Sequence, residues 1–186
     1  MIMAVGNVRV RPATPGDTAA IRDIYAPIVR DTTISFEADP PGADEILRRM
    51  RAGIVPLPWL VAETPQGIAG FAYAAPFRSR HAYCWSVETS VYLGASARRR
   101  GIGKNLYERL LADLRALGYV RAYAGIALPN QASIGLHQAV GFTPVGVFPA
   151  AGYKHGRWVD VGWWTLALRV APVEPAPPLA WPPGKA

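Results

Sequence analysis

Three groups of residues in this chain have types and spacings suited to chemistry. The first is Arg98-Arg99-Arg100-Gly101-Ile102-Gly103-Lys104, which follows the apolar run Val91-Tyr92-Leu93 and opens a stretch of helical periodicity. Strand, glycine turn and helix N-terminus in that order suit a phosphate. The first N–H groups of a helix lack intrahelical partners and the dipole adds partial positive charge there. Glycine at 101 and 103 lets a pyrophosphate approach the backbone, and the flanking cations add charge-assisted hydrogen bonds. The second is Glu88, a carboxylate within a strand between Trp85, Val87, Thr89 and Val91. Burying it is costly unless something pairs or uses it. Ser86, Ser90 and Tyr92 share its face, so that face is polar. The third is Arg78 and Arg80, beside His81 and Tyr83, two guanidinium groups able to fork onto a carboxylate or phosphinate. His137 stands one helical turn after Ser133, and Ser133 three residues after Asn130.

Each group has a plainer alternative. Glu88 also suits a solvent-facing position on a half-exposed strand, the arginines an ordinary basic loop, and His137 a packed helical histidine. The glycine turn alone admits any phosphate ligand, nucleic acid included. Cys84, the single cysteine, has no base or helix N-terminus beside it and reads as a mostly buried strand residue. His, Cys, Asp and Glu show no metal-ligand spacing, so no metal is expected. Trp158, Trp163 and Trp164 read as core and interface residues, not a base-stacking platform.

The elements that must position these residues follow from periodicity. Val8 to Arg11 alternates as an opening strand, and Thr14-Pro15-Gly16-Asp17 caps a helix carrying Ile21, Ile24, Tyr25, Ile28 and Val29. A second helix spans roughly Ala43 to Arg51. Strands Leu57–Glu63 and Ile68–Tyr73 flank a turn at Thr64-Pro65-Gln66-Gly67. Residues 84–93 form the next strand. Leu106, Leu110, Leu114 and Leu117 stripe the helix after the glycine motif, which Gly118 ends. Val120–Leu128 is a strand, Asn130–Val140 a short helix, and Phe142–Phe148 and Trp158–Leu168 are closing strands. Residues 85–128 thus make a βαβ unit within an α+β, mixed α/β fold.

At 186 residues with 51% apolar and 18% charged residues, the chain is one globular domain. Its net charge of +7 suits an anionic ligand, a nucleic acid or an acidic surface. One cysteine fits a reducing, cytoplasmic setting. The N-terminus lacks the pattern of a signal peptide, and residues 122–152, although free of charge, are broken by Pro129, Pro144 and glycines, so no membrane span is expected. Residues 1–7 read as a flexible N-terminus, 8–169 as the domain and 170–186 as a tail, disordered or draped over the surface. Six of the sixteen residues from Ala171 onward are proline.

Together these residues resemble the GNAT N-acetyltransferase superfamily, whose acetyl-CoA motif R/Q-x-x-G-x-G/A matches Arg98-x-x-Gly101-Ile102-Gly103. Its second motif, an Asn before a short helix and Gly-Phe, matches Asn130 to Phe142. The phosphinothricin acetyltransferase branch is similar in Ser35-Phe36-Glu37, Trp59–Glu63, Ala69–Ala74, Glu88–Tyr92 and, most specifically, Ala150-Ala151-Gly152-Tyr153-Lys154-His155-Gly156-Arg157 through Gly162. The likeness covers about residues 8–169. It implies a mostly antiparallel sheet splayed between its middle strands, and direct transfer from acetyl-CoA to a primary amine. Glu88 is then the base, and His137, where many GNAT enzymes carry Tyr, assists in proton handling. Backbone groups of Val91, Tyr92 and Leu93, with Arg98, Arg99, Arg100, Gly101, Gly103, Lys104, Asn130 and Ser133, would hold acetyl-CoA. Arg78, Arg80 and Tyr83 would grip a small amino acid of phosphinothricin or methionine sulfoximine/sulfone type, walled by Phe36 and Tyr73. A homodimer is also implied, with the C-terminal aromatic strands as the contact; no nucleic acid or membrane partner is. Other acceptors (a peptide N-terminus, polyamine or aminoglycoside) stay open, although arginines at 78–83 disfavour a cationic one. So do a basic nucleic-acid-binding module and a non-catalytic acetyl-CoA sensor.

Overall fold

The computed structural model describes residues 8–52 and 56–181; the expected flexible segment 1–7 lies outside them. The chain runs β1 (Arg9–Pro12), α1 (Thr18–Asp31), α2 (Ala43–Met50), β2 (Trp59–Thr64), β3 (Gly67–Pro76), β4 (Ser86–Leu93), α3 (Ile102–Ala116), β5 (Arg121–Ala127), α4 (Gln131–Ala139), β6 (Thr143–Lys154) and β7 (Arg157–Ala167). These strands form one sheet in the order β1-β2-β3-β4-β5-β7-β6. All pairings are antiparallel except β4 with β5, the two strands joined by the α3 crossover.

Both faces of the central strands are covered, and the strand period of two sorts the side chains between them. Leu60, Ala62, Ala72, Ala74, Val87, Ala122 and Ala124 pack beneath Leu106, Tyr107, Leu110, Leu111 and Leu114 of α3. Trp59, Val61 and Phe71 point the other way, against Ile21, Tyr25, Ile28 and Val29 of α1 and Ile46 of α2. Small residues under α3 let it lie close to the sheet, and Gly118 ends it with a positive φ of 94°. Arg11 fixes the entry to α1. It donates to both Asp17 carboxylate oxygens at 2.7 and 2.8 Å and to Glu63, while Asp17 accepts from the Thr14 backbone and hydroxyl.

Two sequence expectations are corrected. Cys84 is not a strand residue: a 3₁₀ turn occupies His81–Tyr83, the Cys84 amide donates to the His81 carbonyl, and β4 begins only at Ser86. The sixth strand does not stop at Phe148 but runs to Lys154. A register shift between Phe148 and Gly152, with Ala150 at φ 49°, absorbs the interruption at Pro149. The proline-rich tail, as far as residue 181, lies against the body. Trp85 Nε1 donates to the Ala176 carbonyl, the Leu179 amide to Leu117, and the Trp181 amide to Pro56. Proline's missing donors leave few backbone N–H groups there to satisfy.

Candidate active site

The parallel ladder between β4 and β5 is short. It joins Ser86 to Arg121, Val87 to Ala122 and Glu88 to Tyr123, and ends there. On its other side β4 stays paired with β3 out to Leu93. From Thr89 to Leu93 the backbone edge facing β5 therefore has no ladder partner, although each such group must be satisfied by something. β5 meanwhile continues alongside β7 to Ala127. Between the parted strands lies a cavity of about 40 Å³, lined from one sheet face by Thr89, Val91, Tyr107 and His137 and from the other by Ser90, Tyr92 and Gly125. Ile126 and Ala127 of β5, Ile34 from the loop after α1, Asn130 at the cap of α4 and Ser133 within it also line the cavity.

Glu88 occupies the last rung of the ladder. Register places it on one face with Tyr73, Ser90 and Tyr123, beside the reach of α1 and α2. It is half-buried and its pKa is raised above the usual carboxylate range by desolvation, with Arg78 pulling against the rise. Strand rise puts it about 7 Å from Ser90 on the cavity wall. A carboxylate in this state is a stronger base than one in water.

The helical side of the cavity carries a residue that periodicity alone conceals. Tyr107 follows Leu106 in the apolar stripe of α3 and reads as core, yet its hydroxyl lies 2.8 Å from His137 Nε2. The tautomer follows from partners: Nδ1 sits 2.7 Å from the Ser133 carbonyl, which can only accept, so Nδ1 carries the proton and Tyr107 donates to Nε2. Burial lowers the His137 pKa and raises that of Tyr107, so both are neutral at pH 7. The only signal for Tyr107 in the sequence is a hydroxyl in a stripe otherwise made of leucine.

At the far end of β4 the chain turns through Gly94 and a 3₁₀ turn at Ala95–Ala97 into the arginine-glycine segment. Gly101 caps α3 at φ 77°, a conformation costly for any residue with a Cβ, and Arg99 adopts φ 60°. Arg98, Arg99, Arg100 and Lys104 are exposed around this helix start, whose first turn has no acidic residue; Lys104 lies 3.7 Å from Glu108. The space that Gly103 leaves is filled from inside. A Cβ there would meet Leu136 at 3.1 Å and Leu93 at 3.3 Å, so this glycine brings α4 close to α3. Asn130 caps α4, its Oδ1 accepting from the Ser133 amide at 3.1 Å.

Of the remaining predicted residues, register puts Tyr73 on the Glu88 face, and Arg78 is near enough to act on Glu88 by its charge. Phe77 stacks on Tyr123 at 4.1 Å and meets Tyr83 edge-on, and Arg78 lies over the Phe77 ring at 4.3 Å. Arg80 caps the 3₁₀ turn and is exposed. Tyr73 stacks on Trp59 at 4.2 Å. Phe36 comes from the loop after α1 and rests on Gly152, where a Cβ would come within 2.6 Å of its ring. Among the described residues no group of three His, Cys, Asp or Glu could hold a metal, and no helix is long and apolar enough to cross a membrane.

Comparison with known proteins bears on this arrangement. Residues 10–163 match the acetyltransferase (GNAT) domain model. The chain is 42% identical over 171 residues to phosphinothricin N-acetyltransferase of Streptomyces viridochromogenes, covering 92% of this chain and 91% of that protein. It is 34% identical over 160 residues to the L-methionine sulfoximine/L-methionine sulfone acetyltransferase of Salmonella typhimurium, covering 86% and 94%. The crystal structure of a phosphinothricin acetyltransferase from Sinorhizobium meliloti in complex with AcCoA superimposes with a TM-score of 0.84 at 34% identity, covering 91% of this chain and 93% of that one.

Proposed function

Because the chain belongs to the GNAT acetyltransferase family, we propose that it moves the acetyl group of acetyl-CoA to the primary amine of a small amino acid of phosphinothricin or methionine sulfoximine/sulfone type. The observation that carries this reading is that the β4–β5 ladder ends at Glu88, so an open backbone edge, a cavity and a desolvated carboxylate adjoin one another. Acetyl-CoA supplies an acetyl group activated as a thioester. The residues suit it: the unpaired edge from Thr89 to Leu93 offers hydrogen bonds to an extended amide chain, and the helix start at Gly101 with Arg99, Arg100 and Lys104 suits a pyrophosphate.

Glu88 takes the proton from the incoming ammonium, directly or through one water, leaving a neutral nitrogen able to attack. Such base catalysis typically contributes about 10²–10⁴-fold. Backbone N–H groups of the open edge would donate to the thioester carbonyl as it gains charge, and preorganised donors of this kind are worth roughly 3–4 kcal/mol each. The nitrogen that has attacked carries an excess proton, which passes to the departing sulfur; Tyr107, whose own hydroxyl proton goes to His137 Nε2, and His137 line the cavity wall beside it. Arg78, Arg80 and Tyr83 take the anionic end of the acceptor, with Phe36 and Tyr73 along its stem. Mixing the protein with acetyl-CoA and each of phosphinothricin, methionine sulfoximine and methionine sulfone, and following free thiol, tests the reading. Acetylation of these amines and not of polyamines or aminoglycosides is expected; no thiol release with any of the three removes it.

We also infer a homodimer built on β6, whose residues Thr143 to Ala151 are all exposed. Val145, Val147 and Phe148, with Tyr153 and Trp158, present more apolar surface than an isolated edge strand carries stably in water. Light scattering on the purified protein gives the mass that decides it.

A further inference from the structure

The segment Gly152-Tyr153-Lys154-His155-Gly156-Arg157 takes no part in the chemistry above. It forms the tip of the β6–β7 hairpin, held by its own ladder from Gly152 with Val159 to Lys154 with Arg157. From there the Lys154 ammonium reaches across the molecule and donates to two backbone carbonyls, that of Val29 and, at 2.7 Å, that of Ser35. Val29 lies in the last turn of α1, where carbonyls have no helical partner and the dipole favours a cation. Arg157 adds a contact to the Thr33 hydroxyl at 3.4 Å, and Phe36 rests in the space that Gly152 leaves. Residues 32–36 are therefore held from above by the hairpin tip. From below, the buried Ser35 hydroxyl meets Tyr25 at 2.8 Å, and Tyr25 donates to Glu37, which Arg49 grips at 2.7 and 3.0 Å. This loop carries Ile34, part of the cavity wall, and Phe36.

We propose that Lys154 is a positioning residue: its ammonium latches the loop of residues 32–36 over the cavity between β4 and β5 and thereby sets the affinity for the amine acceptor. The assignment of an acceptor rests on the acetyl-transfer reading; the latch itself does not. The hairpin is tied by main-chain hydrogen bonds that do not involve the lysine side chain, so removing the ammonium frees the loop and leaves the hairpin in place. The Lys154 ammonium donates to the Val29 and Ser35 carbonyls, and none of its hydrogen bonds reaches residues 93–104.

The test compares wild type with Lys154→Met, which keeps the stem and removes the donors, and Lys154→Arg, which keeps charge and donors. Hydrogen exchange without ligands should be about 10–100-fold faster for the amides of 32–37 in the Met variant, the loss typical of a charged hydrogen bond, and unchanged along α3. With acetyl-CoA, KM for methionine sulfoximine should rise by a comparable factor, with kcat and KM for acetyl-CoA near wild type; Arg should restore both readouts. Unaltered exchange at 32–37 overturns the latch, and faster exchange with an unaltered acceptor KM overturns the role in acceptor affinity. Lys154→Gln replaces the Met variant if the latter does not fold. A wild type that acetylates none of the three amino acids would defeat the functional reading, while the exchange measurement would still decide the latch.

Discussion

Beyond Leu93 the surface proposed for acetyl-CoA comes from one continuous stretch, Gly94 to Lys104, with a left-handed glycine at the start of α3 and exposed cations. Around Glu88 the opposite holds. The acceptor site proposed there draws on residues far apart in sequence: Tyr73 and Tyr123 share the Glu88 face, while Tyr107 meets His137 on the other face of the sheet. A backbone site tolerates changes in its side chains, because N–H groups and helix dipole persist. A site of convergent side chains depends on each one and on the packing that aims it.

Substitutions at the two ends should therefore behave differently. The largest effect is expected at Glu88. Glu88→Gln should cut kcat by about 10²–10⁴-fold at neutral pH and leave acetyl-CoA affinity within about twofold, measurable by steady-state kinetics and calorimetry. Activity within a few-fold of wild type would remove Glu88 as the base. Its raised pKa adds a pH signature. The base works deprotonated, so turnover should rise with pH through the raised pKa and be lost on acidification above the ordinary carboxylate range. Glu88→Gln should flatten that limb.

Tyr107→Phe comes next. It removes one hydroxyl and leaves a buried His137 Nε2 without a donor, so kcat should fall by about tenfold to a hundredfold, the range of a lost buried hydrogen bond to a reacting group. Wild-type turnover would assign the Tyr107–His137 pair to packing alone. At the cofactor end a smaller change is expected. Gly101→Ala forces a Cβ into φ 77° and should weaken acetyl-CoA binding by about tenfold, the equivalent of 1–2 kcal/mol of backbone strain, with acceptor KM unchanged. If acceptor KM moves instead, the two ends of β4 are not independent.

The glycine turn, the capped start of α1, the α3 stripe and the β4–α3–β5 order were legible because each rests on residues near in sequence. Left-handed glycine, helix period and cap chemistry are local. Tyr107 was not legible, since a tyrosine in a leucine stripe has the period of a core residue and only the approach of α4 brings His137 to its hydroxyl. Cys84 was misplaced because Tyr83-Cys84-Trp85 continues the composition of the strand. The 3₁₀ turn that excludes it forms where the chain must swing from β3 to β4.

By itself the sequence determined most of the elements and the glycine turn before α3, and it singled out Glu88 as a candidate. Through its likeness to the GNAT branch it also indicated the chemistry. Tertiary structure decided the rest. It decided where β4 parts from β5, just past the rung that Glu88 forms with Tyr123, and it brought Tyr107 to His137. It also carried the Lys154 ammonium to the carbonyls of Val29, 125 residues away in the chain, and Ser35. The physical reason is the range of the forces involved. Backbone conformation and helix capping act within a few residues, whereas desolvation of Glu88 and the latch of Lys154 require surfaces that meet only when the sheet has assembled.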